Sequence, residues 1–286
     1  MKNDWGVVGC AYMSREYCKV LTAKNITPRV YSRDLASPNV KSFHEVFPQL
    51  EVKELAEISN AVNKWIVCTN IESHEEVCSK LKGRVYCEKP FAHDTRYDAS
   101  KDISILMNRR YYYWVKFIKD IIDSGKIVKV IAVIPEESID YLVTRSIHVI
   151  DLLWYLAGPF QSATKVGSTS PTYVLSTDKD IPVVINMNYG SHENFSLRFY
   201  GESGEVYEAK PLEAFSIAKG MEVHEPDDEN PLRSYRPIID TRTYLPTNFK
   251  PGLGELIDDL VEGVDTRLPT LLEHRQIHAW MQDNML

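Results

Sequence analysis

The sequence predicts an α/β fold in two parts: a parallel, doubly wound sheet, then an α+β region with a mostly antiparallel sheet. Three observations predict it. From Trp5 to Cys87, short apolar runs alternate with helical segments through short connections, the pattern of a parallel sheet with crossover helices. From Val128 to Tyr207, strand-like segments are separated by turn residues, and no long helix intervenes. The chain has 286 residues, which at about 150 residues per domain is room for about two.

The elements follow in order. Asp4-Trp5-Gly6-Val7-Val8-Gly9-Cys10 is an apolar run, and Met13, Tyr17, Val20 and Leu21 then recur at helical spacing. Asn25 to Pro28 ends that helix, and Arg29-Val30-Tyr31 makes a second strand. Lys64 to Cys68 makes another, followed by a short helix carrying Val77 and Leu81, and Gly83 to Cys87 makes one more. Ile103 to Met107 completes the first part. A helix with Val115, Ile118, Ile121 and Ile122 on its core side stops at Ser124-Gly125, and His148 opens another with Ile150, Leu153, Trp154 and Ala157 inward. Val128 to Pro135, Thr172 to Leu175, Pro182 to Tyr189, Phe195 to Tyr200 and Glu205 to Tyr207 are the expected strands of the second sheet. Two amphipathic helices close the chain, one with Leu253, Leu256, Ile257, Leu260 and Val261 on one side, the other presenting Ile277, Trp280 and Met281. The acidic stretch Glu222 to Glu229, with Pro226, is expected to be a solvated loop.

Composition excludes several classes. Hydrophobic residues make up 44% and charged ones 26%, ordinary for a chain that buries a core and unlike a disordered one. Forty acidic against 33 basic side chains give −7, so no overall positive field favours nucleic acid or an anionic membrane. No apolar run approaches the roughly 20 residues that span a bilayer, and the N-terminal segment lacks signal-peptide character. Five cysteines, an odd number with no CxxC spacing, point to reduced thiols in a cytoplasmic protein and to no metal site.

In a doubly wound sheet, the first strand-to-helix turn is where backbone N–H groups and the helix dipole receive a dinucleotide pyrophosphate. The usual signal is GxGxxG; here the run is Gly9-Cys10-Ala11-Tyr12-Met13-Ser14, with only the first glycine kept. The same turn also fits an ordinary connection after a buried strand. At the end of the second strand, Ser32-Arg33 stands where NAD sites place a carboxylate for the ribose 2′-hydroxyl. A hydroxyl and a guanidinium suit a 2′-phosphate instead, so the expectation is NADP(H) over NAD(H), with a solvated Arg33 as the alternative.

Cys87-Glu88-Lys89-Pro90 is more specific. A strand ending in Glu-Lys-Pro some eighty residues after such a turn resembles the glucose–fructose oxidoreductase/inositol dehydrogenase/MocA family. Thr69-Asn70 through His74, Asn108-Arg109-Arg110-Tyr111, Ile147-His148-Val149-Ile150-Asp151, Gly201 to Gly204 and Leu268-Pro269-Thr270 resemble that family's motifs in the same order. The resemblance implies a Rossmann domain over residues 1–107 and a substrate-binding and oligomerising α+β domain over 108–286. It implies cofactor contacts at Gly9, Ala11, Tyr12, Met13, Ser32, Arg33, Thr69, Asn70, His74 and Glu88. It also implies proton transfer by Lys89 and His148, and a homodimer or homotetramer through the C-terminal sheet.

The residues allow other readings beside it. A lysine at the C-terminal edge of a parallel sheet lies beside the ligand crevice, and burial or a neighbouring cation would lower its pKa towards neutral; it is otherwise a surface lysine in a turn. His148 and Asp151 are i and i+3, so Asp151 either fixes the imidazole tautomer or pairs locally, and the histidine itself is otherwise a core residue. The Arg109 to Trp114 cluster reads as a nucleotide- or phosphate-binding patch or, more simply, as helix packing with an arginine ion pair, and Arg145 beside His148 is another candidate for an anionic substrate group.

Two departures from the family redirect the expectation. Polyol dehydrogenases of the family carry an aspartate four residues before the histidine, where this chain has Thr144, and a glycine two before it, where this chain has Ser146. Threonine cannot act as a carboxylate base, whereas reducing a carbonyl needs only a proton donor. The expected activity is therefore NADPH-dependent reduction of a keto group on a sugar or nucleotide-linked sugar. The alternatives are reduction of an imine or conjugated system, or cofactor binding without turnover. The second departure is length: only twelve residues, Phe91 to Asp102, stand where the family has a full crossover helix, so that helix is expected to be absent or one turn long.

Overall fold

The structure, a computed structural model, describes residues 4–59, 61–91, 102–242 and 248–286. It divides into two compact units, Met1–Tyr111 with Thr247–Ala279, and Tyr112–Pro246 with Trp280–Leu286. The sequence-based division at 107 differs from this in that the chain returns to its first unit after residue 247.

The first unit opens with β1 (Trp5–Val8), α1 (Tyr12–Ala23), β2 (Arg29–Ser32), α2 (Pro38–Val46), β3 (Val52–Glu54), β4 (Lys64–Val67), α3 (His74–Lys80), β5 (Arg84–Glu88) and β6 (Ile103–Leu106). The strands pair in the order β3-β2-β1-β4-β5-β6, each pair parallel. β1 and β6 are buried along their whole length, which is why they read as continuous apolar runs rather than alternating ones. The sheet order reverses between β1 and β4, the switch point where ligands of such sheets bind.

Two elements of this unit carry little sequence signal. α2 has no long apolar stripe and buries only Val40 and Phe43; its mark is Ser37-Pro38, an N-cap whose hydroxyl accepts from the Val40 N–H (3.4 Å) followed by proline in the first turn. β3 is three residues long at the sheet edge, with Lys53 and Glu54 in it.

The second unit contains α4 (Val115–Asp123), β7 (Ile127–Glu136), a π-type turn (Leu142–Ser146), α5 (Ile147–Ala157), β8 (Phe160–Val166), β9 (Thr172–Thr177), β10 (Val183–Tyr189), β11 (Ser196–Gly201), β12 (Val206–Ala209), β13 (Phe215–His224) and β14 (Ser234–Arg242). Its eight strands run β14-β13-β12-β11-β7-β10-β9-β8, with β7 and β10 parallel and the other neighbours antiparallel. Trp114 anchors its core, stacked on Phe215 (centroids 5.5 Å apart) and donating its indole N–H to the Leu212 carbonyl (2.8 Å). The acidic stretch expected to be loop is strand at its start, because Glu222 to His224 complete β13 by pairing with β14; the loop follows them.

The chain then returns with α6 (Leu253–Glu262) and α7 (Leu271–Asn284), which passes at Ala279 from the first unit into the second. Leu253, Leu256, Ile257 and Leu260 are each 0% exposed and join Tyr17, Val20 and Leu21 of α1 in one apolar cluster. Lys64 Nζ donates to the Leu260 carbonyl (2.8 Å), placing a cation at the negative end of α6. The shortened connection expected after Phe91 lies outside the described residues. All five cysteines are buried and none is in a disulfide. No helix among the described residues is long and apolar enough to cross a membrane.

Candidate functional site

A cavity of about 440 Å³ opens at the C-terminal edge of the parallel sheet, at the switch point. Gly9, Ala11, Ser32, Arg33, Thr69 and Asn70 line it, so the structure brings together six residues singled out in sequence. Val8, Cys10, Asp34, Ser37, Asn39 and Cys68 complete the wall.

The turn after β1 depends on Gly9. Its φ is +110°, and a Cβ there would lie 2.6 Å from the Cys68 carbonyl oxygen. Its N–H donates to the Tyr31 carbonyl (2.8 Å), while the Cys68 N–H donates to Val8 (2.8 Å), so the turn is fixed to both neighbouring strands. The chain then enters α1 through Ala11, which is extended and gives no side-chain cap, and no acidic residue occupies the first turn. The leading N–H groups of α1 thus carry the positive end of the helix dipole with no side chain answering it. Ser14, 0% exposed, packs where the third glycine of the usual fingerprint stands. Burial pushes the Cys10 thiol up to about 11 and Cys68 well above its ordinary value, so both sulfurs in the wall are neutral and do not repel an anion.

At the end of β2, Ser32 Oγ donates to the Asp34 carbonyl (3.1 Å) and Arg33 Nη2 donates to Asn70 Oδ1 (3.0 Å), tying β2 to the segment after β4. Asp34 is taken up locally, its carboxylate accepting the Ala36 N–H (2.8 Å). Asp34, Ser37 and Asn39 were not singled out in sequence. The Ser37-Pro38 helix start was the available signal, since it puts the beginning of a helix beside the end of β2.

Glu88 ends β5. Its carboxylate accepts from Tyr17 OH (2.8 Å) and the Lys89 N–H (3.3 Å). Burial pushes its carboxyl above the usual carboxylate range, opposed by the Tyr17 hydrogen bond and the charges of Lys89 and Lys250. Lys89 itself is half-buried. His74 does not line the cavity. It is 1% exposed, with Nδ1 3.1 Å from the Pro90 carbonyl and Nε2 3.0 Å from the Thr69 carbonyl, and burial lowers its pKa. It sits between the ends of β4 and β5, and as a neutral ring with one N–H it donates to one of these two carbonyls.

Thr144, Arg145, His148 and Asp151 belong to the second unit. Thr144 and Arg145 lie in the π-type turn, His148 in the first turn of α5, half-buried, and Asp151 one turn on, 1% exposed. Arg145 is exposed, 3.3 Å from Glu137 and over the Tyr141 ring (3.9 Å to the centroid), so its charge is met locally. Ser146 Oγ donates to Glu136 Oε1 (2.6 Å) inside the unit. Arg109 is half-buried beside Arg110, which is 1% exposed and donates to the Arg267 carbonyl (2.9 Å) and Glu273 (2.8 Å). At Arg110 the arginine cluster is packing with an ion pair. Among the described residues, no group of three or more His, Cys, Asp or Glu side chains could hold a metal ion.

No protein-family profile matches the chain, and no match was found among curated protein sequences. Solved structures do match it. A UDP-N-acetylglucosamine 3-dehydrogenase from Acidithiobacillus ferrooxidans is 16% identical with a TM-score of 0.66, over 97% of this chain and 95% of that one. An oxidoreductase from Agrobacterium radiobacter in complex with NAD+, L-tartaric acid and magnesium is 11% identical, TM-score 0.70, over 98% and 94%. A levoglucosan dehydrogenase in complex with NADH is 14% identical, TM-score 0.69, over 96% and 93%. The chain therefore shares the fold of these three proteins along almost its whole length.

Proposed function

We propose that this chain is a divergent member of the glucose–fructose oxidoreductase/inositol dehydrogenase/MocA family and works as an NAD(P)-dependent oxidoreductase on a sugar or nucleotide-linked sugar. The observation that carries the reading is the cavity at the switch point, closed below by Gly9 and bordered by the uncapped N-terminus of α1. Solved structures of the same fold that hold NAD+ and NADH support it.

The first unit would hold the dinucleotide. Gly9, Ala11, Tyr12 and Met13 provide the pyrophosphate turn, Ser32 and Arg33 the adenosine ribose, and Thr69, Asn70 and Glu88 the far side. NADP(H) is the cofactor we favour, because Arg33 lines the cavity and donates to a neutral amide while the nearby Asp34 carboxylate is engaged by its own loop. A nicotinamide bound there would supply the hydride. Lys89, just after β5, is the proton donor we favour, and His148, in the first turn of α5, is the other candidate for proton transfer or substrate orientation. Arg109, Arg145, Thr144 and Asp151 are the remaining substrate-side candidates. Thr144 in the place of a carboxylate favours reduction of a keto group over oxidation of an alcohol. A dimer or tetramer forming through the second sheet would cover Met221, Val223, Tyr235, Ile238 and Ile239, which are exposed along β13 and β14.

Calorimetric titration with NADPH and NADH, followed by turnover assays on keto-sugars, tests the reading. NADPH is expected to bind tighter, and Arg33→Ala to erase the difference. Lys89→Met is expected to lower turnover at least a hundredfold with cofactor affinity kept. A chain that binds neither cofactor at near-millimolar concentration is not an oxidoreductase of this kind, and one that binds without turning over any substrate is a cofactor-binding protein.

A further inference from the structure

We infer that Lys250 is a cofactor-binding residue that holds the dinucleotide's pyrophosphate at the first turn of α1, on the side of the second nucleoside. The inference rests on the dinucleotide reading of the first unit. No sequence motif marks this lysine, which arrives about 240 residues after the turn it serves, on the segment that brings the chain back to its first unit.

Its position is built. Phe249 packs against the first unit's apolar cluster, Asn108 Nδ2 donates to the Pro251 carbonyl (3.0 Å), and the Leu253 N–H donates to the Lys250 carbonyl (3.1 Å). Gly252, at φ +78°, then turns the chain into α6. The backbone carrying Lys250 is thus held on both sides.

The half-buried ammonium points at α1. Nζ lies 3.6 Å from Met13 Sδ and 5.7 Å from the centroid of the Tyr12 ring. A thioether is a weak acceptor, and a cation over an aromatic face gains about 0.5–1 kcal/mol at a partly exposed site. Neither is a charged partner for the ammonium. Glu88 is close enough to feel its charge, yet among the described residues no carboxylate forms an ion pair with it. An ammonium fixed against the uncapped start of a helix, with soft partners only, is arranged to receive an anion from outside the chain.

The sheet order says which anion. Tyr12 and Met13 follow β1, Glu88 ends β5, and β4 lies between those strands, whereas Ser32 and Arg33 end β2 on the opposite side. A dinucleotide with its adenosine over β2 therefore passes α1 with its pyrophosphate and continues past Lys250 towards Glu88 and Lys89. Lys250 also answers a deficit in the turn. Where the usual fingerprint has a second glycine that lets the phosphate approach the backbone, this chain has Ala11, and a side chain reaching in from the far side replaces part of the lost contact.

The test compares wild type with Lys250→Met and Lys250→Arg by calorimetry, using NADPH, ADP-ribose and AMP. ADP-ribose carries the pyrophosphate without the nicotinamide, and AMP lacks the second phosphate. Lys250→Met is expected to bind NADPH and ADP-ribose about tenfold more weakly, the size of one charge-assisted hydrogen bond, with AMP unchanged. Lys250→Arg is expected to recover most of the loss, and added salt to narrow the gap between wild type and Lys250→Met. Unchanged ADP-ribose affinity in Lys250→Met, or an equal loss for AMP, overturns the assignment. Equal urea midpoints for the three proteins exclude misfolding as the cause; if Lys250→Met unfolds, Lys250→Gln takes its place. A wild type that binds NADPH normally while Lys250→Met is unaffected refutes Lys250 alone, whereas a wild type that binds neither NADPH nor NADH refutes the dinucleotide reading beneath it.

Discussion

His74 shows how a residue that reads as a ligand in sequence becomes a fastener in the fold. Both ring nitrogens face backbone carbonyls, of Thr69 and Pro90, and the ring is 1% exposed. Burial is the largest influence on it and lowers its pKa, so the native state favours the neutral ring. A histidine whose folded value lies below its unfolded value near 6.5 binds a proton on unfolding; its contribution is fully present above that unfolded value and is lost as pH falls through the lower folded one. Replacing His74 by Leu is expected to cost about 1–3 kcal/mol near pH 8, because a buried carbonyl loses its donor. That difference should shrink as the medium is acidified below about pH 6.5. Urea unfolding of both proteins across that range measures it, and two parallel stability curves would show that His74 does not titrate on unfolding.

The turn from β1 to α1 is the element on which the candidate site stands, and Gly9 is the residue that its geometry forces. Gly9→Ala adds a Cβ at 2.6 Å from a backbone carbonyl, at a φ of +110° that an alanine rarely adopts. The expected cost is on the order of 2–4 kcal/mol, read from the urea midpoint, together with loss of NADPH binding as β1 and β4 separate at their ends. Retained binding with an unchanged midpoint would contradict the geometry. This turn was legible in sequence, as were the buried strands that follow, because Val7, Val8, Ile66, Val67 and Ile105 have no wet face to conceal their pattern. β3, β8, β13 and β14 were not. β3 is short and charged, β8 exposes Gln161, Ser162 and Lys165, and β13 and β14 lie at an edge where Met221, Val223 and Ile238 face outward. In β13 Phe215 and Ile217 alternate with Ser216 and Ala218, but Lys219 interrupts the apolar face and the rest of the strand is exposed, which blurs the period-2 signal. The site divides in the same way. Among the candidates, Gly9, Ser32 and Arg33 were readable from the first turn and the end of the second strand and Asn70 from the family resemblance, whereas Lys250 had no local signal, since Tyr12 and Met13 are its neighbours only after the chain has folded back.

The return of the chain decides what the first unit is as a folding body. Its apolar cluster joins Trp5, Tyr17, Leu21 and Val30 from the N-terminal part to Leu253, Leu256, Ile257 and Leu260 from α6. Those last four are each 0% exposed. At about 1.5–3 kcal/mol for burying one such side chain, α6 contributes on the order of 6–12 kcal/mol, which is as much as a whole domain's net stability of about 5–15 kcal/mol. A fragment of residues 1–111 would carry every motif of the dinucleotide turn and still lack that contribution, while exposing the surface of Tyr17, Val20 and Leu21 that α6 covers. It is expected to show no cooperative urea transition and to aggregate at micromolar concentration. The same fragment joined through a Gly/Ser linker to residues 247–279 is expected to regain a cooperative transition, because α6 and the ion pair of Arg110 with Glu273 return together. Cooperative unfolding of the short fragment would show that its sheet and first helices suffice. The linked fragment alone failing would place the missing stability in the second unit rather than in α6. The candidate dinucleotide turn and much of the apolar cover of its scaffold are therefore written at opposite ends of the sequence, and the lysine proposed for that turn arrives on the returning segment.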